Sequence, residues 1–173
     1  LEFINQTNKS DLVLMTDADA MFELDTVPNL LKWFTDKSIG CVGATPKRIG
    51  QRIEEEGHRT LFSMVRHLES KIDSTPFLEG SCMVWRTSSL DLEALHVTSN
   101  ADDAQIATNV RIHGLRVIQD SDAHFIDHAP FERKEHSRQK VRRAQGLQRH
   151  LLRQREHWYN RRLGRFAPIL RQE

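Results

Sequence analysis

Cysteine is almost missing from these 173 residues: Cys41 and Cys82 stand alone. Two cysteines cannot build a disulfide scaffold, and a zinc site would have to draw its other ligands elsewhere. A reducing, cytoplasmic compartment fits this usage. Long apolar runs are missing too. No stretch approaches the roughly 18 apolar residues that a bilayer span needs. Leu1-Glu2-Phe3-Ile4-Asn5 shows neither the basic n-region nor the apolar h-region of a secretory leader. Aromatics make up 7%, which leaves few rings for stacking on bases. With 38% hydrophobic and 28% charged residues, a disordered tail and a collagen-like chain are both excluded.

The length suffices for one domain with its own core. A net charge of +1 hides an asymmetry. Residues 133–173 hold 13 of the 25 Lys+Arg and 3 of the 24 Asp+Glu, while residues 1–132 hold the remaining 12 and 21. The acidic body is suited to holding a cation. The basic segment is suited to phosphate, nucleic acid or an anionic membrane surface. The sign changes near Pro130, the one candidate boundary.

Asp11-Leu12-Val13-Leu14-Met15-Thr16 is a short unbroken apolar run, which predicts a strand buried on both faces. Asp25 or Thr26 caps a helix that carries Pro28 in its first turn and ends near Phe34. Residues 39–44 predict a second buried strand, and Pro46 and Gly50 a loop after it. A long helix follows over roughly 53–72, with Leu61, Met64, Val65 and Leu68 as its apolar stripe. Residues 78–85 read as a strand interrupted by Gly80-Ser81. Residues 102–113 read as a helix with Ile106 and Val110 on one face, stopped by Gly114; residues 115–118 form the next strand. From Arg133 to about Tyr159 the pattern is helical and strongly basic, with Gly146 as a weak point. Alternation of strands and helices gives an α/β class with a largely parallel sheet. The sheet opens so close to its first acidic motif that residues preceding Leu1 are expected to belong to it.

Asp17-Ala18-Asp19 leaves the first strand at its C-terminal end, where open α/β sheets place their ligands. Two carboxylates on such a turn can face one hard cation, Mg2+ or Mn2+, that bridges diphosphate oxygens. The plainer alternative is a solvated turn. Asp102 and Asp103 open a helix, where acidic residues simply complement the helix dipole or, facing a cleft, supply a general base. Gly80-Ser81 allows a bulge or a close backbone approach to substrate. His124 or His128 could complete an Asp/Asp metal site. Arg138, Lys140, Arg142 and Arg143 crowd positive charge onto two helical turns, which suits a phosphate partner.

In this order the segments resemble a family 2 glycosyltransferase of the GT-A fold, the group of the cellulose, chitin and hyaluronan synthases. Asp17-Ala18-Asp19 is similar to the family's D-x-D, and Leu78-Glu79-Gly80-Ser81-Cys82-Met83-Val84-Trp85-Arg86 to the small-residue strand beside the sugar and acceptor. Asp102-Asp103 resembles its E-D pair, with Asp102 in place of Glu. Gln139-Lys140-Val141-Arg142-Arg143 resembles Q-x-x-R-W, with Arg143 in place of Trp. The resemblance covers roughly residues 10–150 and lacks the first part of the nucleotide-binding half.

What it implies is inverting, metal-dependent transfer of a hexose from a nucleotide-diphosphate sugar to a hydroxyl acceptor, a glycan or a lipid phosphate. Asp17 and Asp19 would hold Mg2+ or Mn2+, with His124 or His128 as a further ligand. Asp103 would be the base, and Gly80, Ser81, Asp102, Gln139, Arg142 and Arg143 would contact substrate. Residues 1–132 would be a partial catalytic core, and the 173-residue chain is expected to be inactive by itself. Residues 133–173 would carry the motif helix and a membrane-interface segment rich in Trp158, Tyr159, Leu163, Phe166, Ile169 and Leu170, at the cytoplasmic face of a membrane. Two rival readings remain open at this point. One is a nucleic-acid-binding protein using the basic segment. The other is a phosphohydrolase with Asp17 as nucleophile.

Overall fold

The computed structural model describes residues 10–49, 53–96, 100–128 and 133–157. Five strands form one sheet: β1 (Leu12–Thr16), β2 (Met21–Phe22), β3 (Ile39–Ile49), β4 (Cys82–Arg86) and β5 (Arg116–His128), in the order β1-β4-β3-β5-β2. Four α-helices accompany it among the described residues: α1 (Thr26–Leu31), α2 (Ile53–Ile72), α3 (Asp102–Ile112) and α4 (Arg133–Arg153). The mixed α/β architecture is as the sequence predicts.

The direction of the sheet is not. Among the described strands only β3 and β5 run parallel; β1–β4, β3–β4 and β2–β5 are all antiparallel. An apolar run reports burial and says nothing of the direction of the neighbouring strand. β1 also lies at the sheet edge among the described residues, with Leu14 40% exposed, so it is not buried on both faces. Pro46 falls inside β3, opposite Phe125, rather than in a loop. Gly80-Ser81 does not interrupt a strand: it forms the turn before β4, closed by the Cys82 amide donating to the Glu79 carbonyl. Gly114 does stop α3, at φ +83°, a conformation that favours glycine.

Side chains alternate across the sheet into two cores. Val42, Ala44, Cys82, Val84 and Ile118 face Leu30 of α1, whereas Cys41, Met83, Trp85 and Val117 face Ile106, Ala107 and Val110 of α3. The 20-residue α2 departs from this pattern. Leu61, Met64, Val65, Leu68 and Ile72 are all exposed, from 42% to 63%. No described α2 side chain belongs to either core. The helix meets β5 through its opposite, hydroxyl-bearing face. Ser70 Oγ accepts from the Gln119 amide at 2.8 Å, and Ser63 Oγ accepts from Gln119 Nε2 at 3.2 Å. Just beyond α2, Ser74 Oγ accepts from the Val117 amide and the Thr75 amide donates to the Val117 carbonyl. These groups satisfy the edge of β5 that β2 is too short to cover.

α4 docks on the α3 side of the molecule at two points. A Cβ on Gly146 would stand 3.0 Å from the Asn100 carbonyl oxygen, so backbone approaches backbone here. One turn on, the buried His150 ring lies 3.0 Å from Thr108 Oγ1. Burial holds His150 down at about 4, with the Arg153 and His96 charges adding to the effect, so it is neutral at physiological pH. Glycine-to-alanine in an open helix usually stabilises by about 1 kcal/mol. At Gly146 the Asn100 contact should cancel that gain, and Gly146→Val should destabilise by about 1–3 kcal/mol through overpacking. Thermal unfolding of both variants checks this; a melting temperature raised by valine would contradict the docking.

Candidate active site

A cleft of about 780 Å³ opens beside the C-terminal end of β1. Met15 reaches it from β1, Asp17 from the turn just after β1, and Glu79, Gly80 and Ser81 from the turn into β4. Asp102 and Asp103 reach it from the start of α3, Arg142, Arg143 and Leu147 from α4, and Phe62, Val65 and Arg66 from α2. Three motifs far apart in sequence thus share one cavity.

The strand ends fix the first of them. Pairing of Thr16 with Cys82 brings the turn after β1 against the turn before β4. The Asp17 amide donates to the Ser81 carbonyl at 3.3 Å, and Ser81 Oγ donates to Asp17 Oδ2 at 2.6 Å. Asp19 follows on the exposed turn, and its carboxylate has no partner among the described residues. Two hard oxygen donors two residues apart fit Mg2+ or Mn2+ in chemistry. Among the described residues no three of His, Cys, Asp and Glu are grouped to hold a metal. Such a pair therefore suits a cation that takes its remaining ligands from phosphate and water.

The second motif is set by the helix start. Asp103 is half-buried, with its carboxyl enclosed beside Gly80, where a Cβ would stand 3.3 Å from that of Asp103. Burial pushes Asp103 up to about 6. The Ala104 amide donating to Oδ1 at 2.7 Å opposes the rise, the Asp102 and Glu79 charges add to it, and Arg143 opposes it. Asp102, by contrast, is exposed. A carboxylate raised toward neutrality at a cleft wall is suited to accept a proton.

α4 supplies the third. Arg142 and Arg143 are exposed at the cleft, and neither forms an ion pair among the described residues. The basic helix is therefore part of the cleft wall.

The structure thus brings together Asp17, Gly80, Ser81, Asp102, Asp103, Arg142 and Arg143. Asp19 sits just outside, two residues beyond Asp17. Gln139 is half-buried one turn before Arg142 and does not line the cleft. His124 lies on β5 opposite Thr45, away from the lining, with Nδ1 buried and unpartnered. The side chain of His128 and residues 158–173 lie outside the described residues. Sequence reasoning passed over Arg66 and Glu79, which pair at 2.9 Å on the cleft wall. Glu79 stood beside the glycine turn as a usable signal; Arg66, inside a helix read for its apolar stripe, gave none.

No protein-family model matches the chain, and no curated protein matches it. Among solved structures the fold is that of a glycosyltransferase. A similar one is the mannosyltransferase PcManGT from Pyrobaculum calidifontis in complex with GDP-Man and Mn2+. It is 25% identical with a TM-score of 0.80, over 99% of this chain and 46% of that one. This chain therefore spans less than half the length of that protein. No helix among the described residues is long and apolar enough to cross a membrane.

Proposed function

We propose that the chain is the catalytic part of an inverting, divalent-cation-dependent glycosyltransferase of family 2, moving a hexose from a nucleotide-diphosphate sugar to a hydroxyl acceptor. One observation carries the reading: Asp17, at the strand end, and the raised Asp103, at a helix start, face the same cleft. The likeness to a mannosyltransferase that binds GDP-Man and Mn2+ supports the donor class and the cation. Two buried free thiols, Cys41 and Cys82, support a cytoplasmic setting.

Asp17 and Asp19 would hold the cation, which when bound neutralises charge growing on the leaving diphosphate. Ser81 orients Asp17 through its hydroxyl. Asp103 takes the proton of the acceptor hydroxyl as that oxygen forms its bond to the anomeric carbon. The bond from the anomeric carbon to the diphosphate oxygen breaks on the opposite face, and its electron pair leaves with the nucleoside diphosphate. Arg143 stands by Asp103 and, with Arg142, offers guanidinium groups to acceptor or diphosphate oxygens.

The test is GDP release from GDP-mannose by the full-length protein, with Mn2+ or with chelator and across a panel of hydroxyl acceptors. Acceptor-stimulated, cation-dependent GDP release is expected. Tight, salt-sensitive RNA binding with no turnover of any nucleotide sugar would sink the proposal.

A further inference from the structure

α4 brings Arg142 and Arg143 to the cleft, yet little of it is buried. Between residues 137 and 153 only Gly146 and His150 are buried, and Gly146 has no side chain to anchor. The one buried side chain on this stretch of the helix is therefore polar. His150 is 1% exposed, and its Nε2 lies 3.0 Å from Oγ1 of the fully buried Thr108. Its Nδ1 is buried with no partner among the described residues. A leucine would fill the same space without leaving a buried nitrogen unpaired, so stability alone does not account for a histidine here. What a hydrogen bond adds to an apolar contact is direction. It limits how far one helix slides and turns on another, the best-attested use of a lone polar pair in a packed interface.

The same two helices also meet at the cleft. Arg143, Gly146 and His150 recur at spacings of three and four residues and so share one face of α4. Arg143 and His150 stand two turns apart, about 10 Å along the axis. On α3, Asp103 lies in the first turn and Thr108 further along. We infer that His150 is a positioning residue, given that the cleft is the transfer site: its hydrogen bond to Thr108 sets the register of α4 on α3 and thereby holds Arg143 beside Asp103. Burial raises Asp103 to about 6, the Ala104 amide and the Arg143 charge oppose the rise, and the Asp102 and Glu79 charges add to it. A guanidinium that drifts away leaves the amide alone against both carboxylates, so Asp103 climbs further and loses its proton at higher pH. His150 itself stays neutral through that range, because burial, with the Arg153 and His96 charges, holds it down at about 4.

The experiment separates register from stability. His150→Leu/Thr108→Val replaces both partners by apolar groups of similar size, a change ordinarily close to neutral for folding. In the full-length protein without added metal, the Asp103 carboxyl carbon is followed by NMR across pH. The acid limb of kcat/KM for GDP-mannose is measured on the same samples with Mn2+. The double variant should melt with the unmodified protein, while its Asp103 midpoint and acid limb move to higher pH by as much as Arg143→Gln moves them. Adding Arg143→Gln to the double variant should move them no further, since both changes remove one interaction. His150→Gln, whose amide can reach Thr108, should keep the midpoint near that of the unmodified protein. Should the double variant melt lower, the isosteric Thr108→Val alone gives the same comparison. A midpoint left in place by loss of the His150–Thr108 bond overturns the inference. So does a shift that adds in full to that of Arg143→Gln, or an Arg143→Gln change that Asp103 does not feel. GDP-mannose turnover with an unmoved midpoint removes only this inference. A midpoint that moves as expected, without turnover of any nucleotide sugar, leaves His150 setting the register and removes the transfer reading beneath it.

Discussion

Asp103→Asn is expected to lower sugar transfer by roughly 10²–10⁴-fold, the usual contribution of a positioned base, and at the same time to make the fold more stable. Asparagine keeps the size of the side chain and an oxygen for the Ala104 amide, so the helix start is preserved. It removes a charge that the site holds at a disadvantage. Because burial pushes Asp103 from 3.8 up to about 6, ionisation costs folding free energy. That cost is absent below the ordinary carboxylate value, grows as pH rises from about 4 to about 6 and is complete above it. Removing the charge should therefore gain on the order of 2 kcal/mol at neutral pH. The same value sets the acid limb of activity: kcat/KM should fall as pH drops below about 6, when the base is protonated. Steady-state kinetics across pH and a melt at neutral pH check both halves. If Asp102→Asn is the crippling change and Asp103→Asn is mild, the base is the exposed member of the pair.

The second large effect is expected at the D-x-D turn. Asp17→Asn and Asp19→Asn should each weaken Mn2+-dependent binding of GDP by on the order of 10²-fold, at or beyond the 10–100-fold typical of an outer-shell partner. Two carboxylates are a small set for a divalent cation, so loss of either leaves little to replace it. Neither change should disturb the fold. Asp19 is exposed, and an asparagine at 17 still offers Ser81 Oγ an oxygen. The readouts are calorimetric binding of GDP with and without Mn2+ and the circular dichroism of each variant. Metal-dependent affinity that is unchanged in both would remove the cation from this turn.

The parts of the molecule that could be read from the sequence are those whose cause is local. The bounds of α2, 53–72, follow from its own periodicity, and the end of α3 follows from Gly114. The acidic pairs were visible because a carboxylate at a strand end or a helix start carries its meaning with its position. The sheet directions were not visible, since the pairing of β1 with β4 joins residues about seventy positions apart and leaves no mark on either run. The orientation of α2 was hidden for a different reason. Amphipathicity locates an apolar face but does not say what covers it. Here the sheet is met by Ser63 and Ser70, residues that an apolar count ignores. The Arg66–Glu79 pair, thirteen positions apart across the end of a helix and a loop, has no pattern to find.

The serine-lined docking of α2 has a thermodynamic consequence. Heat-capacity change and denaturant sensitivity both scale with the surface that an opening exposes to water. The apolar face of α2 is exposed to begin with, and the bonds that tie the helix to β5 are made by hydroxyl, amide and guanidinium groups. Separation of the helix from the sheet would uncover little hydrocarbon. Such an opening is nearly silent in calorimetry and in a urea titration, whereas the amides of residues 60–72 would exchange with solvent each time it occurs. Two parts of one chain would thus obey different rules: the α1 and α3 layers melt with a large heat-capacity increment, and α2 comes and goes on hydrogen bonds and the Arg66–Glu79 ion pair.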